Sequence, residues 1–407
     1  MRKDTVDRGS GLLHSRRSIL AAGVACGVPA LAAENPGAGV ASDQIPRRKL
    51  GRTGVEITRL GMGGSLPDYT PRLLDFVYRC GVRYFDTGEV YFGHKVEGIL
   101  GDWVRRSGHR KEVFIVTKSR SHDLKGFERR LEQGLSRTGL ETIDMFFLHG
   151  LEDPDIALDR DGHWRKLKEQ LVRAGKIRFM GFSTHAPMPQ RIACLNNAAK
   201  GGWVDALMVA CDPMLIRATP ELNKALDACA KADIGLICMK SSRGLGRFVD
   251  QPQGARKAFE KLGMSPHVAM LAGMWSDERF TAVCSEMQNF QNIEENTKAA
   301  RTFKKPFDAA QWKLFEEAAS GLTRATCPGC DNSCRMAAGS RTDFCSITRY
   351  LAYFRESGNR GRARELYAEL APEARDWRSA DLKAAAQACR GRVDFEALLP
   401  LAERLLG

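Results

Sequence analysis

The chain has 407 residues, 62 Lys and Arg against 49 Asp and Glu, a formal net charge of +13, and 43% hydrophobic residues. That length suits one large α/β barrel of about 250 residues with additions at both ends better than one ordinary small domain. The positive excess is spread along the chain, without an aromatic-interleaved basic block or zinc-finger spacing. Nucleic-acid binding is therefore set aside in favour of a generally solvated basic surface.

Residues 1–32 contain Ser15-Arg16-Arg17-Ser18-Ile19-Leu20, an apolar Ala- and Gly-rich run, and the small-residue site Ala30-Leu31-Ala32. This three-part order reads as a twin-arginine export signal, predicting a periplasmic location and an encounter with the twin-arginine machinery. The segment holds five Lys/Arg and two Asp/Glu, so removing it lowers the net charge from +13 to +10. No later stretch is long and apolar enough to span a membrane. Residues 33–46 are small, polar and Pro/Gly-containing, and read as a linker.

From residue 47 the pattern changes. RRKLGRTGVEITRLGMGG reads as a short hairpin covering a barrel floor and leading into a first strand over Ile57 to Met62. Further apolar runs of strand length follow at Val82 to Asp86, Val113 to Lys118, Ile143 to His149, Ile177 to Ser183, Ala206 to Cys211, Gly235 to Lys240 and Phe280 to Glu286. Amphipathic stretches such as Lys125 to Thr138 and Trp164 to Ala174 lie between them and are long enough for crossover helices. Eight βα units predict a closed (β/α)8 TIM barrel over residues 47–320, ending after a helix around Asp308 to Ala319. The cluster Gly61-Met62-Gly63-Gly64 lacks the GxGxxG spacing of a dinucleotide fingerprint, and instead suits a close backbone turn beneath a ligand. Residues 321–407 read as a small helical region bearing cysteines, with helices at Ser346 to Glu356 and Arg362 to Glu369.

Three successive strand ends carry a matched set of side chains: Asp86 and Tyr91 in DTGEVY, Lys118 in VFIVTK, and His149 in IDMFFLHG. Singly, each has an ordinary explanation as a cap, a loop aromatic, a solvated strand end or a rim histidine. Together they suit carbonyl reduction, which needs a hydride at carbon and a proton at oxygen. A cation near Tyr91 would make its phenol a better acid, and Lys118 supplies one. Asp86 would hold the Lys118 ammonium in place, and His149 would donate a hydrogen bond to the substrate oxygen. No side chain donates hydride, so a nicotinamide is implied.

The order KLGRTG, DTGEVY, VTK, FFLHG, GFSTH and IEEN, over roughly residues 47 to 300, resembles the aldo-keto reductase family. The resemblance implies Asp86, Tyr91, Lys118 and His149 as the catalytic tetrad. It also implies an NADP(H) or NAD(H) cofactor lying across the barrel mouth, with a small aldehyde, ketone or alcohol as substrate. Cofactor positions carried across are Ser183, Thr184, Met239, Lys240, Glu295 and Asn296. Ser183-Thr184 departs from the family's Ser-Asn. Met208 stands where a carboxamide-binding Gln is expected, and Met239 where an aromatic often stacks. Asn292 falls where an arginine would bind a 2'-phosphate, so the choice between the two cofactors stays open.

After the barrel, CPGCDNSC and a later cysteine place Cys327, Cys330, Cys334 and Cys345 with two, three and ten residues between them. One branch of the aldo-keto reductases carries a ferredoxin-like tail here, which implies a [4Fe-4S] cluster and an electron-transfer partner. The short final spacing and the Cys-Pro of a ferredoxin run are missing, and zinc and disulfides stay open. Cys211, Cys238 and Cys284, in apolar strand runs, read as small core residues. A second reading treats the chain as a degenerate barrel acting as a binding or electron-transfer module through this tail.

Overall fold

The computed structural model describes residues 44–407 except 67, 243–251, 323, 331, 357–359 and 390. The export signal expected over 1–32 and most of the linker expected over 33–46 lie outside the described residues. The last part of that linker belongs to the fold, since Ile45 is buried in the same cluster as Val77.

Eight parallel strands close into a barrel: β3 (Leu60–Gly63), β4 (Tyr84–Asp86), β5 (Phe114–Ser119), β6 (Ile143–Leu148), β7 (Ile177–Thr184), β8 (Ala206–Ala210), β9 (Gly235–Met239) and β10 (Phe280–Ser285), which returns to β3. Side chains alternate along each strand, so one run serves two cores. Tyr84, Phe114, Met145, Phe147, Met208 and Ile237 fill the barrel interior. Their neighbours Phe85, Ile115, Phe146, Phe182, Leu207 and Leu236 turn outward and pack under the helices. The interior is a packed core, which confines any ligand to the barrel's ends.

One end is stoppered by the hairpin of β1 (Arg47–Lys49) and β2 (Glu56–Thr58), paired antiparallel. Its Leu50 and Ile57 join the interior cluster. Gly51 has φ +46°, and a Cβ there would lie 2.3 Å from the Gly235 nitrogen, so the hairpin tip sits directly on the backbone at the start of β9. The expected first strand over Ile57 to Met62 is thus two pieces. Ile57 pairs with Arg48 in the hairpin, and the barrel strand begins at Leu60. The break is at Arg59, whose N–H donates to Pro46 and whose carbonyl accepts from Val283 N and Trp275 Nε1, holding the chain at the corner.

The crossover helices fall where the periodicity predicts them, at Leu124–Thr138, His163–Arg173 and Ala309–Ser320. Asp123 caps the first through the Gly126 N–H, and Asp308 with Gln311 forms a capping box on the third. In the tail, Phe344–Glu356, Arg360–Ala368 and Phe395–Leu406 pack around Ile347, Leu351, Tyr367 and Leu399, with the Phe344 and Phe395 rings stacked 4.5 Å apart. Among the contacts that fasten this bundle to the barrel are a side-chain pair and a main-chain hydrogen bond. Arg324 pairs with buried Asp212 at 2.9 Å, and Met188 N–H donates to the Gly329 carbonyl. Among the described residues no helix is long and apolar enough to cross a membrane.

A buried acid locks three adjacent strands near the stoppered end. Asp144 accepts from the Ile115 N–H at 2.9 Å, from Arg110 at 2.8 Å and from Arg178 at 2.7 Å. Asp144→Ala strands a buried N–H, while the two arginines are exposed enough to find water. The expected cost is about 2 kcal/mol, read as a lower urea midpoint at unchanged slope. A midpoint equal to wild type would remove Asp144 from the barrel's stability.

Candidate active site

The four expected catalytic residues meet at the open end. Asp86 closes β4, Lys118 lies on β5, His149 follows β6, and Tyr91 sits in the loop after β4. That loop is laid along β5 by main-chain bonds from Thr87 N to Val116 O and from Glu89 N to Lys118 O. Lys118 is only 1% exposed. Its Nζ donates to both Asp86 oxygens at 2.7 and 2.6 Å and to the Thr87 carbonyl at 2.6 Å, and stands 3.4 Å from Tyr91 Oη. The His149 ring meets Tyr91 edge-on at 5.7 Å between centroids. The His149 main-chain N–H donates to the Ser119 carbonyl, and the ring Nδ1 is buried without a hydrogen-bond partner.

Burial governs the charges. It raises the Asp86 carboxyl above its ordinary value despite Lys118, and raises the Tyr91 phenol well above 10, with Asp86 and Glu286 adding to that rise. Lys118 was expected to make Tyr91 more acidic. Its charge is instead absorbed by the two Asp86 oxygens, and Tyr91 holds its proton firmly. His149 is pushed well below 6.5 by burial and then by Lys118 and Lys240, so it stays neutral.

Tyr91 opens into a cavity of about 740 Å3, within the range of small-molecule sites. Gly63 and Gly64 lie along one side, and a Cβ on Gly64 would come 2.5 Å from the Asp86 carbonyl. Met208, Met239 and Lys240 also line it. Ser183 and Thr184 do not reach the wall: Ser183 Oγ accepts from Gly150 N at 3.0 Å and Thr184 Oγ1 from Ala186 N at 3.3 Å. Glu295 accepts from Ser265 Oγ, and Asn296 is tied behind β10 by a bond from Nδ2 to Ser285 Oγ at 3.3 Å, its Oδ1 buried without a partner. The thioethers of Met208 and Met239 offer a flat ring an apolar surface. With the unsatisfied His149 and Asn296 atoms, they fit a nicotinamide dinucleotide in part.

The tail supplies a wall absent from the sequence reading. Arg349, Tyr350 and Tyr353 of helix Phe344–Glu356 line the same cavity, and Lys240 Nζ stands 3.3 Å from Tyr353 Oη. Cys345, Arg349 and Tyr353 recur every fourth residue on one helix face, a signal visible in the sequence but not tied there to any partner. Cys284, expected in the core, is partly exposed and lines the cavity as well.

Among the described residues no group of three or more His, Cys, Asp or Glu side chains is arranged to hold a metal ion, and no described cysteine is in a disulfide. Cys327 and Cys334 are buried in the tail core and Cys345 packs against it, near Arg349 and Arg191. The Cys327 thiol is hydrogen-bonded to both Cys334 and Cys345, and its bond to Cys345, with those arginines, brings the Cys345 thiol down to about 7.

The barrel, its single open mouth and the four side chains gathered there define an α/β-barrel of the oxidoreductase kind. The sequence pattern of the Aldo/keto reductase family matches residues 58–320, and the chain belongs to that family. Among curated proteins it is similar to an aldo-keto reductase of Schizosaccharomyces pombe, yakc [NADP(+)], with 26% identity over 214 residues. That match covers 48% of this chain and 60% of the relative. It is also similar to the uncharacterized oxidoreductase YrpG of Bacillus subtilis, with 25% identity over 266 residues, 58% of this chain and 78% of the relative. Among solved structures, the holo form of aldo-keto reductase AKR11C1 from Bacillus halodurans superposes with a TM-score of 0.55 at 17% identity, covering 68% of this chain and 96% of that one. The thermostable aldo-keto reductase Tm1743 with the inhibitor epalrestat gives 0.54 at 23% identity, covering 67% and 99%. These likenesses in structure are likenesses of fold.

His149 and His185 are both held neutral well below 6.5. An unfolded chain takes up these protons as pH drops below about 6.5 while the native chain refuses them. Stability is therefore full above that value and falls below it, by about 1.4 kcal/mol per pH unit for each histidine. Urea midpoints between pH 7.5 and 5 should show this decline, and His149→Gln or His185→Gln should each flatten it. Parallel curves for wild type and variants would contradict the assignment.

Proposed function

We propose that this chain is an NAD(P)H-dependent reductase of a small aldehyde or ketone, also able to run in reverse as an alcohol dehydrogenase reducing NAD(P)+, with Tyr91 as the proton donor. The observation that carries this reading is a buried phenol that keeps its proton, 3.4 Å from the Lys118 ammonium and open to the cavity. When bound, the nicotinamide supplies the hydride; Met208, Met239 and Lys240 are the residues on the wall to hold it. Tyr91 passes its proton to the oxygen as negative charge builds there, a moment at which the nearby ammonium counts most. Asp86 fixes the ammonium, and neutral His149 presents a ring N–H that orients the carbonyl. The relative named for NADP(+) favours the phosphorylated cofactor, and the uncharged Asn292 favours weak discrimination between the two.

The proposed organisation is an export signal over 1–32, a linker to about residue 46, the reductase barrel over 47–320 and the helical tail over 321–407, with the enzyme delivered folded to the periplasm. Ser15-Arg16-Arg17-Ser18 and the apolar run after it support the export reading.

Tyr91→Phe should lower kcat by about a thousandfold, in the range of a lost general acid, while the fluorescence titration with NADPH keeps its Kd. Retention of more than a tenth of wild-type kcat would move the proton donor elsewhere.

A further inference from the structure

The part of the cavity wall where tail meets barrel carries two cations, Arg349 and Lys240, and the neutral His185. Arg349 comes from helix Phe344–Glu356, and Lys240 and His185 from the barrel. His185 is packed beside Gly150, and its Nδ1 is buried without a hydrogen-bond partner. The Arg349 guanidinium donates to Ser346 Oγ at 3.1 Å and lies 5.3 Å from the Tyr350 ring centroid. The charges that act on His185 are Lys240, Arg349, His149 and Arg191, all of them basic groups. Those acting on His149 are Lys118, Lys240, Arg120 and His122, again basic.

The acids lining the cavity are Asp86, Glu152, Asp153 and Glu286. Asp86 is consumed by Lys118, Asp153 caps the helix Pro154–Leu158 through the Asp155 N–H, and Glu286 acts on Asp86, Tyr91 and Cys284. Arg349 already faces the Cys345 thiol that it helps to acidify, and a carboxylate entering this water-poor corner would meet both Arg349 and Lys240. A guanidinium fork is the geometry that takes a carboxylate through two parallel bonds. This corner adjoins His149, the residue read as orienting the carbonyl, because His185 sits against the glycine that follows it.

We propose that the carbonyl substrate bears a carboxylate, received by Arg349 with His185 beside it, so that the tail helix supplies the specificity-determining residue of the barrel's site. The inference rests on the reductase reading above and names its substrate class.

The test uses the full chain with NADPH and two aldehydes of equal length, succinic semialdehyde and butanal. The wild-type kcat/KM should favour the carboxylate by tenfold or more. Arg349→Gln should bring that ratio close to one, mainly through a higher KM for the charged aldehyde, and Arg349→Lys should restore part of it. A wild-type ratio at or below one, or an equal loss on both aldehydes in Arg349→Gln, overturns the proposal. So does weaker NADPH binding at an unchanged ratio, which would give the positive corner to the cofactor phosphates. Calorimetric titration of succinate into the protein with NADP+ needs no turnover: saturable binding, weakened tenfold or more by Arg349→Gln, is expected. Succinate binding without reduction of either aldehyde would sink the reductase reading and keep the anion site, whereas no Arg349-dependent succinate binding overturns the anion site. Circular dichroism melts of both variants confirm that they fold.

Discussion

The contact between Lys118 and Asp86 is the constraint around which the open end is organised. A lysine that is almost wholly buried is tolerable only with a carboxylate held at hydrogen-bond distance, and here both carboxylate oxygens and the Thr87 carbonyl surround one ammonium. The pair joins the ends of β4 and β5, so its geometry is set by strand register as much as by the side chains. Tyr91 and His149 then find their places against it. Removing either charge leaves the other stranded in the interior, which makes the pair a requirement of the fold as well as of the chemistry.

The same pair explains why the phenol behaves differently from its first reading. Proximity of a cation to Tyr91 is real, yet a neutralised cation in a dry pocket does little to a resting phenol that burial and Asp86 both hold protonated. Its influence is reserved for charge that develops later, on the substrate side of the cavity. Neutral His149 follows the same logic, because burial first, and then the basic groups around it, keep it from taking up a proton.

Much of this was legible along the chain because strands and helices write different periods. Alternation within runs such as Tyr84 to Asp86 and Phe114 to Lys118 separates interior from exterior, and a polar residue at the end of each run marks the mouth. The corner at Arg59 was illegible, since nothing local distinguishes a bend held by Pro46, Trp275 and Val283 from a continuous strand. Cys284 packs against the barrel interior as its strand run suggested, but its share in the cavity wall was hidden, because a small residue on a strand looks the same facing a core or a cavity. The tail deceived in two ways. Close cysteine spacing gave no hint that the Cys327 thiol would bond to Cys334 and Cys345 inside an apolar core, with arginines beside Cys345. Arg349 and Tyr353 looked like an ordinary amphipathic stripe, because their meaning depends on a barrel mouth far away in sequence.

The placement of helix Phe344–Glu356 over the mouth ties the pocket to chain beyond the barrel. The barrel is complete in strand pairing at β10, but one wall of the cavity comes from residues that follow it in sequence, fastened in part by Arg324 on Asp212 and Gly329 against Met188. A chain ending after the barrel would keep its closed sheet yet lose Arg349, Tyr350 and Tyr353 from the wall of the cavity that holds Tyr91.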